Sequence, residues 1–152
     1  MTDGLTISGL TITHLKQIGD ERGAVYHFMN SDSHTFKGFG EAYFSKINTG
    51  VVKGWKFHHE AFQNFCVPFG RIKIVVFDNR EGFESKGMIN EIVLDDANNY
   101  TLLSMPPGLW YSFKCESESF SLLANIIDIK HDPKESQNLP LDTKKIPYDW
   151  GH

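Results

Sequence analysis

Gly50-Val51-Val52-Lys53-Gly54-Trp55-Lys56-Phe57-His58-His59-Glu60-Ala61-Phe62-Gln63-Asn64-Phe65-Cys66-Val67-Pro68-Phe69-Gly70 decides how this chain folds. The runs Val51 to His58 and Phe62 to Val67 are too short for helices and rich in β-branched and aromatic residues. They read as strands. Alternation puts Gly54, Lys56 and His58 on one face and Trp55 and Phe57 on the other. The turn Pro68-Phe69-Gly70 leads into Arg71 to Asp78, a third strand whose inner face carries Ile72, Ile74, Val76 and Asp78. Lys56, His58 and Asp78 therefore sit on faces that can meet in one interior.

The same pattern extends in both directions. Leu5 to Ile12, Ala24 to Phe28 and Gly40 to Ile47 read as strands before the central stretch. Met88 to Leu94, Tyr100 to Met105, Leu109 to Lys114 and Phe120 to Lys130 follow it. On the last of these, Asn125 shares a face with Leu123 and Ile127. Asp20-Glu21-Arg22-Gly23, Asn48-Thr49-Gly50, Asp95 to Asn99 and Pro106-Pro107-Gly108 supply turn chemistry between them. No long segment has helical periodicity, and there are no repeats. Short, evenly spaced strands predict an all-β antiparallel barrel or sandwich. The tail from His131 onward is polar, with helical turns expected near Asp142 to Lys145.

Bulk properties narrow the function. The 152 residues fit one domain over 1–152, with a barrel core at about 24–130 and a tail at 131–152. The formal charge is −4 and the basic residues are scattered, which argues against a nucleic-acid partner. No apolar run approaches a membrane span, and Met1 to Leu10 lacks the pattern of an export signal. Cys66 and Cys115 read as reduced thiols of a cytoplasmic protein. The 12 Phe, 5 Tyr and 3 Trp suit pleated surfaces.

The central stretch resembles the first cupin motif, in which Gly, five residues, His-x-His, three or four residues, Glu, six residues and Gly follow one another. Gly50, Lys56, His58, Gln63 and Gly70 fall at those intervals. Pro106-Pro107-Gly108, two residues and Tyr111 resemble the second motif. The resemblance implies a jelly-roll β-barrel. The metal ligands of that motif are replaced, and a protonated Lys56 has no lone pair to give. No metal site is expected. A metal site built on His58 with unusual ligands is the weakest of the readings that follow.

Further segments resemble the dTDP-4-keto-6-deoxyglucose 3,5-epimerases, also called dTDP-4-dehydrorhamnose 3,5-epimerases. They are Asp20-Glu21-Arg22-Gly23, Gly50-Val51-Val52-Lys53-Gly54, Val76-Phe77-Asp78-Asn79-Arg80, Pro106-Pro107-Gly108-Leu109 and Ile146-Pro147-Tyr148-Asp149-Trp150. The resemblance implies a cytoplasmic homodimer in bacterial lipopolysaccharide or capsule synthesis. Its ligand would be a nucleotide sugar, dTDP-linked, and no cofactor is needed because the substrate ketone takes up the electrons. By resemblance Arg22 and Lys53 face the diphosphate, the base position falls on Lys56 and its acidic partner on Asp78. The enolate-binding lysine falls near Gln63, and the acid tyrosine near Asn125.

Several roles stay open. Lys56 is an ion-pair partner of Asp78, a cation for a substrate oxygen, or a base. His58 is a replacement base or a hydrogen-bonded interior histidine. Tyr111 is a proton donor or a core aromatic. Arg80 is a further candidate for the diphosphate, His59 points outward, and Trp55 and Trp110 read as core or interface. The catalytic candidates are thus Lys56, His58, Asp78 and Tyr111, and the substrate-binding candidates are Arg22, Lys53, Gln63 and Asn125. The enzyme reading is an epimerase of a 4-keto-6-deoxy sugar nucleotide. The rival is a sugar-nucleotide binder that keeps the fold without the chemistry.

Overall fold

A computed structural model describes residues 4–151, and every regular element among them is a strand. The strands are β1 (Thr11–His14), β2 (Gln17–Asp20), β3 (Gly23–Tyr26), β4 (Glu41–Ile47), β5 (Val52–His58) and β6 (Gln63–Phe69). They continue with β7 (Arg71–Asp78), β8 (Ile89–Asp95), β9 (Thr101–Met105), β10 (Leu109–Cys115), β11 (Ser121–Ile127) and β12 (Ser136–Asn138). One five-stranded sheet has the order β1-β9-β6-β11-β4 and a second has β12-β5-β10-β7-β8, with all pairings antiparallel. β2 and β3 form a separate hairpin. This is the all-β jelly roll that the strand pattern and motif spacing predict.

The two sheets bury one main core between them. Ile47, Phe65, Val67, Leu103, Met105 and Leu123 point in from the first sheet. Ile72, Ile74, Val76, Ile92, Leu94, Leu109, Tyr111 and Phe113 meet them from the second. The β6–β7 corner depends on Gly70, whose φ is +94° and whose position would bring a Cβ within 2.3 Å of Ser121 Oγ. Only glycine fits there without strain.

Three expectations need correction. The first strand is Thr11–His14 rather than Leu5 to Ile12. Thr6 and Ile7 give their backbone N–H groups to Asn90 Oδ1 instead of to a neighbouring strand. The tail holds no helix among the described residues; it contributes β12 and then crosses the outer face of the second sheet. There Ile146, Leu139, Leu141, Tyr148 and Trp150 cover Trp55, Val75 and Phe77, and Trp150 Nε1 donates to Ser112 Oγ at 2.9 Å. Finally, β5 does not alternate strictly. Tyr111 pairs with Lys56, but Ser112 pairs with Gly54 and Phe113 with Lys53, so Trp55 is an extra residue. The resulting bulge re-aims the strand. It puts Lys53 on the side of Phe113 and Lys56 on the side of Tyr111, which is the same interior side.

Candidate active site

His58 ends β5, and Glu135 stands one residue before the start of β12. The pairing of Ser136 with His58 brings the two side chains together. His58 Nδ1 lies 2.5 Å from Glu135 Oε1, and both side chains are buried. Glu135 Oε2 accepts the backbone N–H groups of Glu60 at 3.0 Å and Ala61 at 3.1 Å. A carboxylate only accepts, so Nδ1 carries the imidazole proton and Nε2 keeps its lone pair. Burial lowers the His58 pKa below its ordinary value; the bond to Glu135 opposes this and the Lys56 and His131 charges reinforce it. For Glu135, burial acts to raise the pKa but is outweighed by the two N–H groups and His58, leaving it below the usual value. The site is therefore a neutral imidazole held by an ionised carboxylate.

The lone pair of Nε2 faces the interior, with Tyr111 Oη at 3.5 Å. Tyr111 is buried, its ring nearly parallel to His58 at an interplanar angle of 11°. Burial first, and the nearby Tyr43 second, push its hydroxyl far above the ordinary phenol value. Tyr111 Oη donates to Gln63 Oε1 at 3.3 Å, and Asn125 Nδ2 donates to the same oxygen at 3.0 Å. Asn125 also donates to Tyr43 Oη at 3.1 Å, across the β4–β11 pair. A chain of polar side chains thus runs from Glu135 through His58, Tyr111, Gln63 and Asn125 to Tyr43. Buried polar groups persist where they are bonded to one another, as here. Asn125 Oδ1 has no partner among the described residues.

Lys56 is half-buried beside this chain and makes no ion pair among the described residues. The expected Lys56–Asp78 pair is absent. Asp78 is fully buried, accepts Arg80 Nε at 2.9 Å and Arg80 Nη2 at 2.8 Å, and accepts Ser85 Oγ at 2.6 Å. Arg80 also donates to Ser8 O at 2.7 Å. Asp78 and Arg80 therefore anchor the loop at 79–88 and are not part of the polar chain. Arg22 is exposed on the β2–β3 hairpin and pairs with Asp20 at 2.6 Å. Lys53 is exposed, and its Nζ donates to Lys46 O at 3.0 Å. His59 is exposed and 2.9 Å from Gln137 Nε2. Trp55 and Trp110 lie on the outer face, Trp55 under the tail and Trp110 against Phe57.

The structure thus brings His58, Tyr111, Gln63 and Asn125 into one network, with Lys56 on the same face. It adds Glu135 and Tyr43, which sequence reasoning missed. Nothing local to Glu135 marks it, since 77 residues separate it from His58. Tyr43 carried a signal, because alternation back from the buried Ile47 turns Tyr43 inward. Among the described residues no three His, Cys, Asp or Glu side chains converge on a common point. Lys56 and Gln63 also supply no donor set suited to a divalent ion.

The chain matches the family described as dTDP-4-dehydrorhamnose 3,5-epimerase over residues 4–152. The dTDP sugar isomerase of Desulfovibrio desulfuricans G20 superposes with a TM-score of 0.92 at 39% identity, covering 95% of this chain and 92% of that one. A Haloferax volcanii protein described as "Probable low-salt glycan biosynthesis epimerase Agl13" is 31% identical over 95% of this chain and 94% of its own length. The spore coat polysaccharide biosynthesis protein SpsL of Bacillus subtilis is 24% identical over 95% of this chain and 96% of its own.

Proposed function

The chain belongs to the dTDP-4-dehydrorhamnose 3,5-epimerase family, and from that premise we propose that it epimerises a nucleotide-linked 4-keto-6-deoxy sugar. The relatives named for polysaccharide and glycan synthesis support a place in the making of a surface polysaccharide. The observation that carries the enzyme reading is the His58–Glu135 dyad. A neutral imidazole with a free Nε2 lone pair is suited to take a proton from carbon beside a ketone. Glu135 fixes the tautomer and stabilises the imidazolium that forms. Lys56, free of a carboxylate partner among the described residues, can hold the developing enolate oxygen.

The rest of the proposal concerns binding. Lys53 and Arg22 suit a diphosphate as cations. Arg22 projects on a hairpin exposed along its whole length, which fits a homodimer whose hairpin reaches a second copy. No helix among the described residues is long and apolar enough to cross a membrane, and cytoplasmic action fits a nucleotide sugar. The competing reading, a binder without turnover, drew its strength from a lysine at the motif's base position. His58 held by Glu135 supplies the missing base.

The test is incubation with dTDP-4-keto-6-deoxyglucose in D2O, following C3 and C5 by NMR. Deuterium is expected at one or both carbons. His58→Asn should slow its entry at least about a hundredfold. No exchange over many hours, alongside measurable binding, would sink the enzyme reading and leave the binder.

A further inference from the structure

Where β5 lines the interior it is polar, and on its outer face it is apolar. Lys56 and His58 lie on the side of Tyr111, while Trp55 and Phe57 lie outside with Trp110. Solvation alone favours the reverse, with tryptophan and phenylalanine turned in. Another part of the chain must hold β5 in its observed register.

We infer that the tail from Ser136 to Trp150 is that part: it fixes the bulged register of β5 and so turns Lys56 and His58 to the interior. The tail is a positioning element and touches no substrate. Its effect on rate rests on the epimerase reading above; its effect on the position of His58 does not.

The bulge leaves Trp55 without a partner on β10, since Tyr111 pairs with Lys56 and Ser112 with Gly54. The tail supplies one. Trp55 N–H donates to Leu139 O at 3.0 Å, and Leu139 N–H donates to Trp55 O at 3.0 Å. These bonds continue the ladder in which Ser136, Gln137 and Asn138 pair with His58, Phe57 and Lys56. The same segment holds the side chain. Trp55 is fully buried in a cluster with Ile146 and Leu139, its ring edge-on to Tyr148 at 6.2 Å. Its Nε1 has no partner among the described residues, so packing alone holds the ring.

The far end of the tail grips the other strand. Trp150 Nε1 donates to Ser112 Oγ at 2.9 Å, and Ser112 is the residue of β10 opposite Gly54, beside the bulge. Lys73 Nζ lies 5.8 Å from the ring centre of Tyr148 and 5.6 Å from that of Trp150, and it pairs with Glu91 at 2.9 Å. The tail thus clasps both β5 and β10 at the extra residue.

Without the bulge, pairing continued from Lys53 and Gly54 would set Trp55 opposite Tyr111 and Lys56 opposite Trp110. A shift of one residue turns every later side chain of the strand to the other face. His58 would then leave Glu135 and Tyr111, and Lys56 would leave the interior. With the tail lifted, Trp55, Val75 and Phe77 would face water, and that cost would favour the shift.

The experiment compares wild type, Trp150→Ala and Ser112→Ala. It reads the titration of the His58 ring by NMR, and kcat and KM for deuterium entry into dTDP-4-keto-6-deoxyglucose in D2O. In Trp150→Ala the His58 pKa should rise towards its ordinary value of about 6.5 as the ring leaves its buried place. The kcat should fall at least about tenfold while KM stays within about threefold, because Arg22 and Lys53 precede the shifted residues. Ser112→Ala removes only the bond to Trp150, should shift both readings in the same direction, and carries the test alone where Trp150→Ala does not fold. A merely structural tail would lower the urea midpoint and leave the titration and kcat of the folded protein unchanged, which overturns the proposal. A wild type that exchanges no deuterium, with a His58 titration that still rises in the variants, sinks the epimerase reading and leaves the positioning role standing.

Discussion

Glu135 satisfies three donors at once: the imidazole Nδ1–H and two backbone N–H groups. Glu135→Gln keeps the shape but offers a single accepting oxygen. The imidazole is then held poorly and loses its preferred tautomer. The rate of deuterium entry should fall by about a hundredfold or more. Because Glu135 raises the His58 pKa against burial, its loss should also move the acid limb of the rate profile to lower pH. An unchanged limb would mean that Glu135 does not govern His58. Lys56 contrasts with it. Without an ion-pair partner among the described residues, Lys56→Met should unfold within about 0.5 kcal/mol of wild type in urea. Its rate should nonetheless drop about a hundredfold through the lost enolate cation.

At the scale of elements, Asp78 is structural where the sequence suggested chemistry, and the tail packs on a sheet where the sequence suggested polar helical turns. Asp78 sits at the end of β7, and through Arg80 and Ser85 it closes the loop to β8. Asp78→Ala would leave the half-buried Arg80 guanidinium without its carboxylate, and the cost should be about 3 kcal/mol in denaturant unfolding. The tail's anchor is Ile146, buried against Trp55 and Val75. Ile146→Ala should cost about 2–4 kcal/mol, since an empty pocket remains.

These cases also show what the sequence could carry. Alternation along β5 put Lys56 and His58 on one face, and the resemblance to the two cupin motifs is what added Gln63 and Tyr111 to them. The β5 bulge escaped, because one extra residue leaves the local pattern intact while reversing the face of everything before it. Strict alternation therefore put Gly54 on the face of Lys56 and His58, whereas it pairs with Ser112, on the opposite face from Tyr111. Asp78 was read as inward and acidic, which is correct, but which cation reaches it depends on a loop closure. Glu135 escaped because a contact spanning 77 residues has no local pattern.

For the whole molecule, acid lability follows from the directions of these pKa values. His58 titrates below its unfolded value of about 6.5, so the unfolded chain binds its proton first as pH falls. The stability tied to neutral His58 is present above that value and is lost as pH drops through the folded pKa. Glu135, Asp78 and Asp95 are also lowered, so their contributions persist down to the ordinary carboxylate range and fail below it. The urea midpoint should hold steady from pH 7 to 8, decline below about 6.5 and decline more steeply below about 4. A His58→Asn variant should lack the first decline. Its persistence in that variant would assign it to another group.

The partnership of His58 with Glu135 has a consequence for the order of synthesis. β5 leaves the ribosome early, but Glu135 is made only after the strands β6 to β11 that complete the two sheets apart from β12. A nascent chain can therefore pack its interior while its histidine still lacks a carboxylate. A chain cut short before residue 135 would lack both the carboxylate that holds His58 and the tail side chains that cover Trp55, Val75 and Phe77, so on the epimerase reading the dyad and the outer core are completed together, at the end of synthesis.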